Sequence, residues 1–463
     1  MVMEILMDSN QIIMANLGQQ PIFVDTDYKF SKYCLVTNID NGKLIFNELT
    51  RSLVFLQNSE VANIGNINDY EYLYKNYFLV TEDFNGDKIV DKLRKNLLIP
   101  LDDVYLDHPS GFTIFTTTKC NARCFYCYER LGKGKKHMTE ATALKVAEYI
   151  HKVAPLNKTI NIGWFGGEPL YNLKVIDIIN NYLREHGRPF TNTMISNGYL
   201  FDKDLVLRAK NMWNLVEVQI TIDGTENVYN KAKNYIYKDN ISPYKKVLNN
   251  IAMLLNAGIG VQLRFNIDVY NAEDLKLVVN EIHNRFGNHP KLSMYAWPIF
   301  EDATYTRTPE DHKKVFECLR ELENTIALAG YYIGDHPSPM LKTNQCMADC
   351  GDSVTISPDG DLGVCEHYFN EHFWGHINDP SKKDFSQLSC WRELNPKLDI
   401  CEDCPLYPNC VRPKMCEEMG KCDEQYKEWR LDRAIRGMIA FYRDYRNQAQ
   451  SNDFPSHLAE NVL

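Results

Sequence analysis

The run Lys119-Cys120-Asn121-Ala122-Arg123-Cys124-Phe125-Tyr126-Cys127-Tyr128 says more about this chain than any other part of it. Three cysteines stand at C-x3-C-x2-C spacing, directly after a strand-like stretch at Gly111–Thr117. Structural zinc and ordinary [4Fe–4S] sites take four protein ligands. Three thiolates on one short loop, with no fourth Cys or His on it, therefore leave a metal position open. An open position is where a substrate or cofactor binds. The bland alternative is three unrelated buried thiols, and the sequence on either side argues against it.

With 463 residues the chain is long enough for two or three domains. It holds no unbroken apolar run of the roughly 18 residues that a spanning helix needs. The opening Met1-Val2-Met3-Glu4-Ile5-Leu6-Met7-Asp8 carries acid where a signal peptide carries base, so a cytoplasmic protein with no membrane partner is expected. A net charge of −10 argues against a nucleic-acid partner. Fourteen cysteines without a signal peptide point to metal rather than disulfides. Cys34 and Cys318 stand alone, three lie on the loop, and nine crowd between Cys346 and Cys422.

The middle of the chain alternates strand-like and helix-like segments. Apolar runs lie at Phe112–Thr117, Ile160–Trp164, Asn192–Ile195, Val216–Ile222, Val261–Ile267 and Leu292–Pro298. Amphipathic stretches follow at Glu140–Val153, Leu173–Glu185, Lys203–Met212, Tyr244–Asn256, Ala272–Phe286 and Pro309–Ala329. Six such units argue for an α/β fold with parallel strands. Periodicity does not choose between a doubly wound sheet and an incomplete barrel.

The cysteine spacing, with the aromatic Tyr126 before its last cysteine, resembles the signature of radical S-adenosylmethionine (SAM) enzymes. That resemblance implies a partial (β/α)6 barrel of TIM type, with chemistry at the C-terminal ends of its strands. It also assigns roles along the later strands. Gly166-Gly167-Glu168-Pro169 matches the family's GGEP motif, which holds the amino group of SAM; paired glycines admit a ligand close to the backbone, and Glu168 offers acceptors to an ammonium. Ser196 and Asn197 are similar to the family's Thr-Asn-Gly segment and would contact the ribose or carboxylate of SAM. Asp223, in Thr221-Ile222-Asp223-Gly224-Thr225, would face the cavity as a catalytic candidate. Arg264 and Asn266 lie two apart on one strand and so on one face; Arg264 would pair with the SAM carboxylate, or else is an ordinary strand arginine.

The C-terminal third resembles the SPASM domain, which carries two auxiliary [4Fe–4S] clusters in peptide-modifying members of the family. By that resemblance one cluster takes Cys346, Cys350, Cys365 and Cys416, and the other Cys401, Cys404, Cys410 and Cys422. With the cluster on Cys120, Cys124 and Cys127, this makes three clusters, and SAM completes the cofactors. Five residues separate Cys410 from Cys416 where the usual pattern has three. Cys390 is left over, as a structural thiol or a replacement ligand. Zinc on Cys401, Cys404 and Cys410 is the competing reading. Glu366, next to Cys365, is a candidate general base, because a carboxylate follows the matching cysteine in sulfatase-maturating relatives; a plain surface or cluster-shell glutamate is the alternative.

Residues 1–107 precede the barrel. Asn41-Gly42 signals a hairpin between Tyr33–Asn38 and Lys43–Asn47; Leu49–Leu56 reads as a helix, and Tyr72–Tyr77 and Lys88–Asn96 as two more, with a short strand at Phe78–Val80. A winged-helix-like peptide recognition domain fits, taking the leader of a precursor peptide as an added strand. A DNA-binding module of that shape lacks the basic stripe it would need. The barrel is expected over 108–330, the cysteine-rich SPASM domain over 331–440, and a polar tail over 441–463, with an amphipathic helix at Asp423–Asn447 packed on the cluster domain.

Taken together, the resemblance implies an oxidoreductase that matures ribosomally made peptides of sactipeptide, ranthipeptide or cyclophane type. It would cleave SAM to a 5′-deoxyadenosyl radical, with flavodoxin or ferredoxin as reductant, and install a thioether or carbon–carbon cross-link. A formylglycine-forming sulfatase maturase is the enzymatic alternative; an iron–sulfur or zinc scaffold that binds a partner is the non-enzymatic one.

Overall fold

The computed structural model describes residues 3–8, 28–57, 67–97, 106–131, 135–237, 240–301, 305–339, 347–367, 372–410, 412, 414–416 and 422–450. In the N-terminal part, strands β1 (Met3–Met7), β2 (Lys29–Phe30), β3 (Cys34–Ile39), β4 (Gly42–Asn47) and β5 (Ser52–Gln57) precede helix α1 (Ile67–Lys75), strand β6 (Leu79–Val80) and helix α2 (Gly86–Leu97). Four of the strands form an antiparallel sheet in the order β1-β5-β4-β3, and β2 pairs with β6. The expected hairpin is present: Ile39 pairs with Gly42, and Asn41 takes a left-handed φ of 68° that asparagine tolerates. Leu49–Leu56, expected as a helix, is instead the loop into β5 and most of that strand. Strand β5 pairs with both β1 and β4, and Leu53, Val54, Phe55 and Leu56 are all buried. A central strand covered on both faces reads as an unbroken apolar run, which periodicity cannot tell from a buried helix.

The barrel follows as β7 (Gly111–Thr117), α3 (Glu140–Val153), β8 (Ile160–Gly166), α4 (Leu173–Glu185), β9 (Phe190–Ser196), α5 (Lys203–Met212), β10 (Leu215–Ile222), α6 (Glu226–Lys233), α7 (Pro243–Asn256), β11 (Gly260–Ile267), α8 (Ala272–Phe286), β12 (Leu292–Pro298) and α9 (Pro309–Leu328). All six strands are parallel and lie in sequence order across the sheet, as the six-unit reading requires. Side-chain caps fix three of the helix starts: Thr139, Asp202 and Thr308 accept from the backbone N–H of Thr142, Leu205 and Asp311. The strands' apolar residues, such as Ile162, Trp164, Val218, Ile220 and Leu263, are buried in one core with the helices' apolar faces. The alternate positions, including Gln219, Thr221, Arg264, Asn266 and Tyr295, line an interior cavity. The period of two thus separates packing from chemistry along each strand.

The chain then continues the barrel sheet. After α10 (Met347–Cys350), strand β13 (Ser353–Ile356) pairs in parallel with β7, and β14 (Asp361–Gly363) and β15 (Gly375–His376) extend the sheet antiparallel. The Asp352 carboxylate clamps this joint by accepting from the Ser110 N–H and hydroxyl, each at 2.9 Å. Helix α11 (Phe385–Ser389) and the long α12 (Glu424–Gln450) complete the described elements. Helix α12 is held to α9 by Arg433 and Glu323 at 2.6 Å, and its Phe441, Tyr442 and Tyr445 pack against the N-terminal sheet. It matches the helix expected at Asp423–Asn447 and crosses residue 440, where the boundary of the polar tail was set; residues 451–463 lie outside the described residues. Among the described residues no helix is long and apolar enough to cross a membrane.

Candidate functional site

The loop after β7 is held by three neighbouring segments. Gly167 and Glu168 donate their N–H groups to the carbonyls of Thr117 and Lys119 at 3.0 and 2.9 Å. Arg123 N–H donates to Lys233 O, and Ile236 N–H to Asn121 O, both at 2.8 Å. The Cys120 sulfur faces the Ala122 N–H at 3.4 Å and the Asn197 side-chain amide at 3.8 Å, donors suited to a thiolate. The paired glycines have a packing reason of their own. Gly166 has φ 126°, and a Cβ there would lie 2.2 Å from Thr117 O; at Gly167 it would lie 2.5 Å from Lys119 O. Neither position admits a side chain.

One cavity of about 340 Å³ gathers the cysteine loop and most of the barrel residues singled out in the sequence. Cys120, Cys124, Cys127, Tyr126, Gly166, Gly167, Ser196, Asn197, Arg264, Asn266 and Glu366 all line it. The Arg264 Nε donates to Asn266 Oδ1 at 3.0 Å, confirming that the two share a face. Glu168 and Asp223 stand behind the wall, both fully buried, and Pro169 is buried too. The Glu168 carboxylate accepts from the Ser196 hydroxyl and the Asn197 N–H, each at 2.9 Å, and from the Leu170 N–H at 3.2 Å. Glu168 thus braces the two residues that line the cavity. Burial pushes its pKa up from 4.5 to about 7 against the pull of those donors.

Several cavity residues gave no sequence signal that was read. Gln219 accepts the Tyr295 hydroxyl at 2.8 Å. Tyr128, Phe300 and His367 form an aromatic group beside Glu366, with the Tyr128 and His367 rings 4.6 Å apart. Burial lifts Glu129 to about 8, and its Oε2 has no hydrogen-bond partner among the described residues. Its position directly after Cys127-Tyr128 was the available clue. Lys233 also reaches the cavity, from the end of a helix that the sequence reading passed over.

The donor sets fit iron–sulfur clusters chemically. Burial holds the Cys120 thiol near 12 and raises Cys124, so these sulfurs become thiolates only beside bound cations. Cys404, Cys410 and Cys422 line a second cavity of about 600 Å³, closed by Phe46, Glu48 and Arg51 of the N-terminal sheet and by Arg430 and Arg433 of α12. The buried Cys401 stands close enough to raise the proton affinity of all three, and burial pushes Cys422 up to about 12. Arg430, Arg412 and Arg94 pull Cys410 the other way, a cationic shell suited to an anionic cluster. Among the described residues no three His, Cys, Asp or Glu side chains close on a single ion.

Of the remaining cysteines, Cys365 and Cys416 pack against the barrel core. Cys346 lies outside the described residues, and Cys350 is described only in its backbone. The Cys390 thiol donates to Gln387 O at 2.9 Å, inside its own turn.

A family model described as the radical SAM superfamily matches residues 114–282. Among curated proteins, an S-adenosylmethionine-dependent nucleotide dehydratase of Psychrobacter lutiphocae is 20% identical over 47% of this chain and 77% of its own length. An uncharacterised protein of Methanocaldococcus jannaschii is 30% identical over 58% of this chain and 88% of its own. The sporulation killing factor maturation protein SkfB of Bacillus subtilis is 28% identical over 39% of this chain and 41% of its own. Among solved structures, anSMEcpe with bound AdoMet and Cp18Cys peptide shares the fold at 17% identity and a TM-score of 0.52, over 73% of this chain and 99% of that one. Streptococcus suis SuiB bound to precursor peptide SuiA does so at 12% identity and a TM-score of 0.50, over 86% and 98%.

Proposed function

The chain belongs to the radical SAM superfamily, and from that premise we propose that it oxidatively modifies a ribosomally made precursor peptide, installing an intramolecular thioether or carbon–carbon cross-link. The observation that carries this reading is the cavity itself: the three-thiol loop, Gly166, Gly167, Ser196 and Asn197 line it together with Glu366, the sequence neighbour of Cys365. The relatives add support, since SkfB is named for maturation of a killing factor, and SuiB and anSMEcpe were solved with peptides.

In this reading Cys120, Cys124 and Cys127 would hold a [4Fe–4S] cluster, and SAM would bind beside it in the cavity they line. Cys346, Cys350, Cys365 and Cys416 hold a second cluster, and Cys401, Cys404, Cys410 and Cys422 a third. When bound, the first cluster supplies the electron that splits SAM into methionine and a 5′-deoxyadenosyl radical, which takes hydrogen from the substrate. The chain's own residues do the rest. Gly166 and Gly167 let backbone approach the SAM ammonium; Ser196 and Asn197, braced by Glu168, meet its ribose or carboxylate; Arg264 pairs with the carboxylate. The aromatic group of Tyr128, Phe300 and His367 keeps water from the reacting carbon. Glu366 accepts the proton released as the new bond forms, and the electron left on the substrate would pass to the clusters that the downstream cysteines would hold. The N-terminal domain takes the leader, and a flavodoxin or ferredoxin delivers electrons.

The test is anaerobic reconstitution followed by reduction with SAM and the candidate precursor peptide. Three clusters correspond to about twelve irons per chain. A peptide that loses two hydrogens per event supports a cross-link; conversion of a thiol to an aldehyde would give formylglycine chemistry instead; absence of SAM cleavage in the iron-loaded protein would leave only a scaffold.

A further inference from the structure

Lys233 ends α6 and is almost completely buried, at 3% exposure. Its ammonium lies 3.0 Å from Asp223 Oδ2 and donates to the Tyr126 hydroxyl at 2.9 Å. That hydroxyl reaches both Asp223 oxygens at 2.8 Å. A buried ion pair of this kind is often no more stabilising than an apolar pair of the same size, so stability alone does not account for its presence. Lys233 stands in the cavity wall that Cys120, Cys124 and Cys127 also line. The same residue grips the loop through its backbone, because Lys233 O accepts the Arg123 N–H. Just beyond it, Asn234 turns the chain at φ 44°, so that the Ile236 N–H meets Asn121 O.

We propose that Lys233 is a positioning residue whose fixed positive charge beside the cysteine loop makes the cluster held there easier to reduce, with Asp223 and Tyr126 locking the ammonium in place. The proposal rests on the reading that Cys120, Cys124 and Cys127 hold that cluster. The two charges do not cancel at the loop. Lys233 lines the cavity with the three cysteines, whereas Asp223 stands fully buried behind its wall, so the cation is the charge presented to the cavity. The reduction potential of an iron–sulfur cluster follows the charge around it, and reduction adds one negative charge, so a nearby cation favours the reduced form. In this arrangement Asp223 acts on the loop through Lys233 and Tyr126.

The experiment is an anaerobic redox titration of the reconstituted enzyme followed by electron paramagnetic resonance, reading the signal whose shape changes when SAM is added. Iron is counted in each variant first. Lys233→Met is expected to lower the midpoint by at least a tenfold change in the reduction equilibrium, about 59 mV for one electron. Asp223→Asn is expected to raise it, the double variant to fall between the two, and Lys233→Arg to stay with the wild type. Opposite signs for the two single variants are a signature that damage to the loop does not produce. Equal signs overturn the proposal, as does an unmoved midpoint with iron retained. Weakened SAM binding at an unchanged midpoint also overturns it and makes Lys233 a ligand of SAM. If Lys233→Met loses its iron, Asp223→Asn and Lys233→Arg still decide the sign. A wild-type protein without any SAM-responsive signal overturns the underlying reading, whereas a normal wild-type signal indifferent to these variants overturns this proposal alone.

Discussion

Replacing Glu168 by glutamine changes one atom in the wall behind the cavity and has a calculable consequence. Burial lifts this carboxyl from 4.5 to about 7. At about 1.36 kcal/mol per pH unit, the ionised form costs the fold about 3 kcal/mol. Between those two pH values the folded chain holds a proton on Glu168 that the unfolded chain has lost. Wild-type stability from this group therefore falls as pH rises from 4.5 to 7 and is level above. Glutamine removes that dependence at a cost of its own. The amide oxygen keeps the Ser196 and Leu170 donors, but the amide nitrogen then faces the Asn197 N–H, a buried mismatch of about 1–3 kcal/mol at every pH. The variant should be clearly weaker than wild type at pH 5 and close to it at pH 7.5. Paired urea titrations of the two proteins across that range, followed by tryptophan fluorescence, measure the difference. A difference that does not change with pH refutes the reasoning, because it means the carboxylate is ionised throughout.

Three further outcomes are expected. Gly166→Ala places a Cβ 2.2 Å from Thr117 O at φ 126°, so this variant should lose SAM binding, measured by equilibrium binding, and unfold at markedly lower denaturant. Arg307 is buried at the side-chain level and lies 2.7 Å from Asp268, which is buried as well; Arg307→Met leaves that carboxylate without its cation and should cost about 3–5 kcal/mol in denaturant unfolding. Cys401→Ala with Cys404→Ala should remove about four of twelve irons and leave the SAM-responsive signal in place, as checked by iron analysis and paramagnetic resonance.

Much of the barrel was legible because local signals agree with the fold. Glu140–Val153 and Lys203–Met212 have side-chain caps just before them, and both boundaries stand in the structure. Arg264 and Asn266 were placed together by the period of two, and they share the cavity. Other features were hidden for physical reasons. Strand β5 lies between two partners, so its apolar run carries no period that marks it as a strand. Helix α6 has only eight residues, about two turns, too short for an apolar period to mark it as a helix, which made it and Lys233 easy to pass over. Glu168 sits in a motif associated with ammonium recognition, but its inward course depends on the Ser196–Asn197 turn of a different strand. Helix α12 was legible as a helix, but the packing of its aromatic residues on the N-terminal sheet was not, because it is a contact between opposite ends of the chain.

The most direct measurement sets radical production against peptide oxidation in one anaerobic reaction. Reconstituted enzyme, reductant, SAM and the precursor peptide are combined, and 5′-deoxyadenosine and peptide mass are followed together. The account predicts that 5′-deoxyadenosine forms alongside a peptide lighter by two hydrogens, and that Cys120→Ala, Cys124→Ala or Cys127→Ala abolishes both. Iron-loaded wild-type enzyme that makes no 5′-deoxyadenosine, or a triple-cysteine variant that makes as much as wild type, contradicts it.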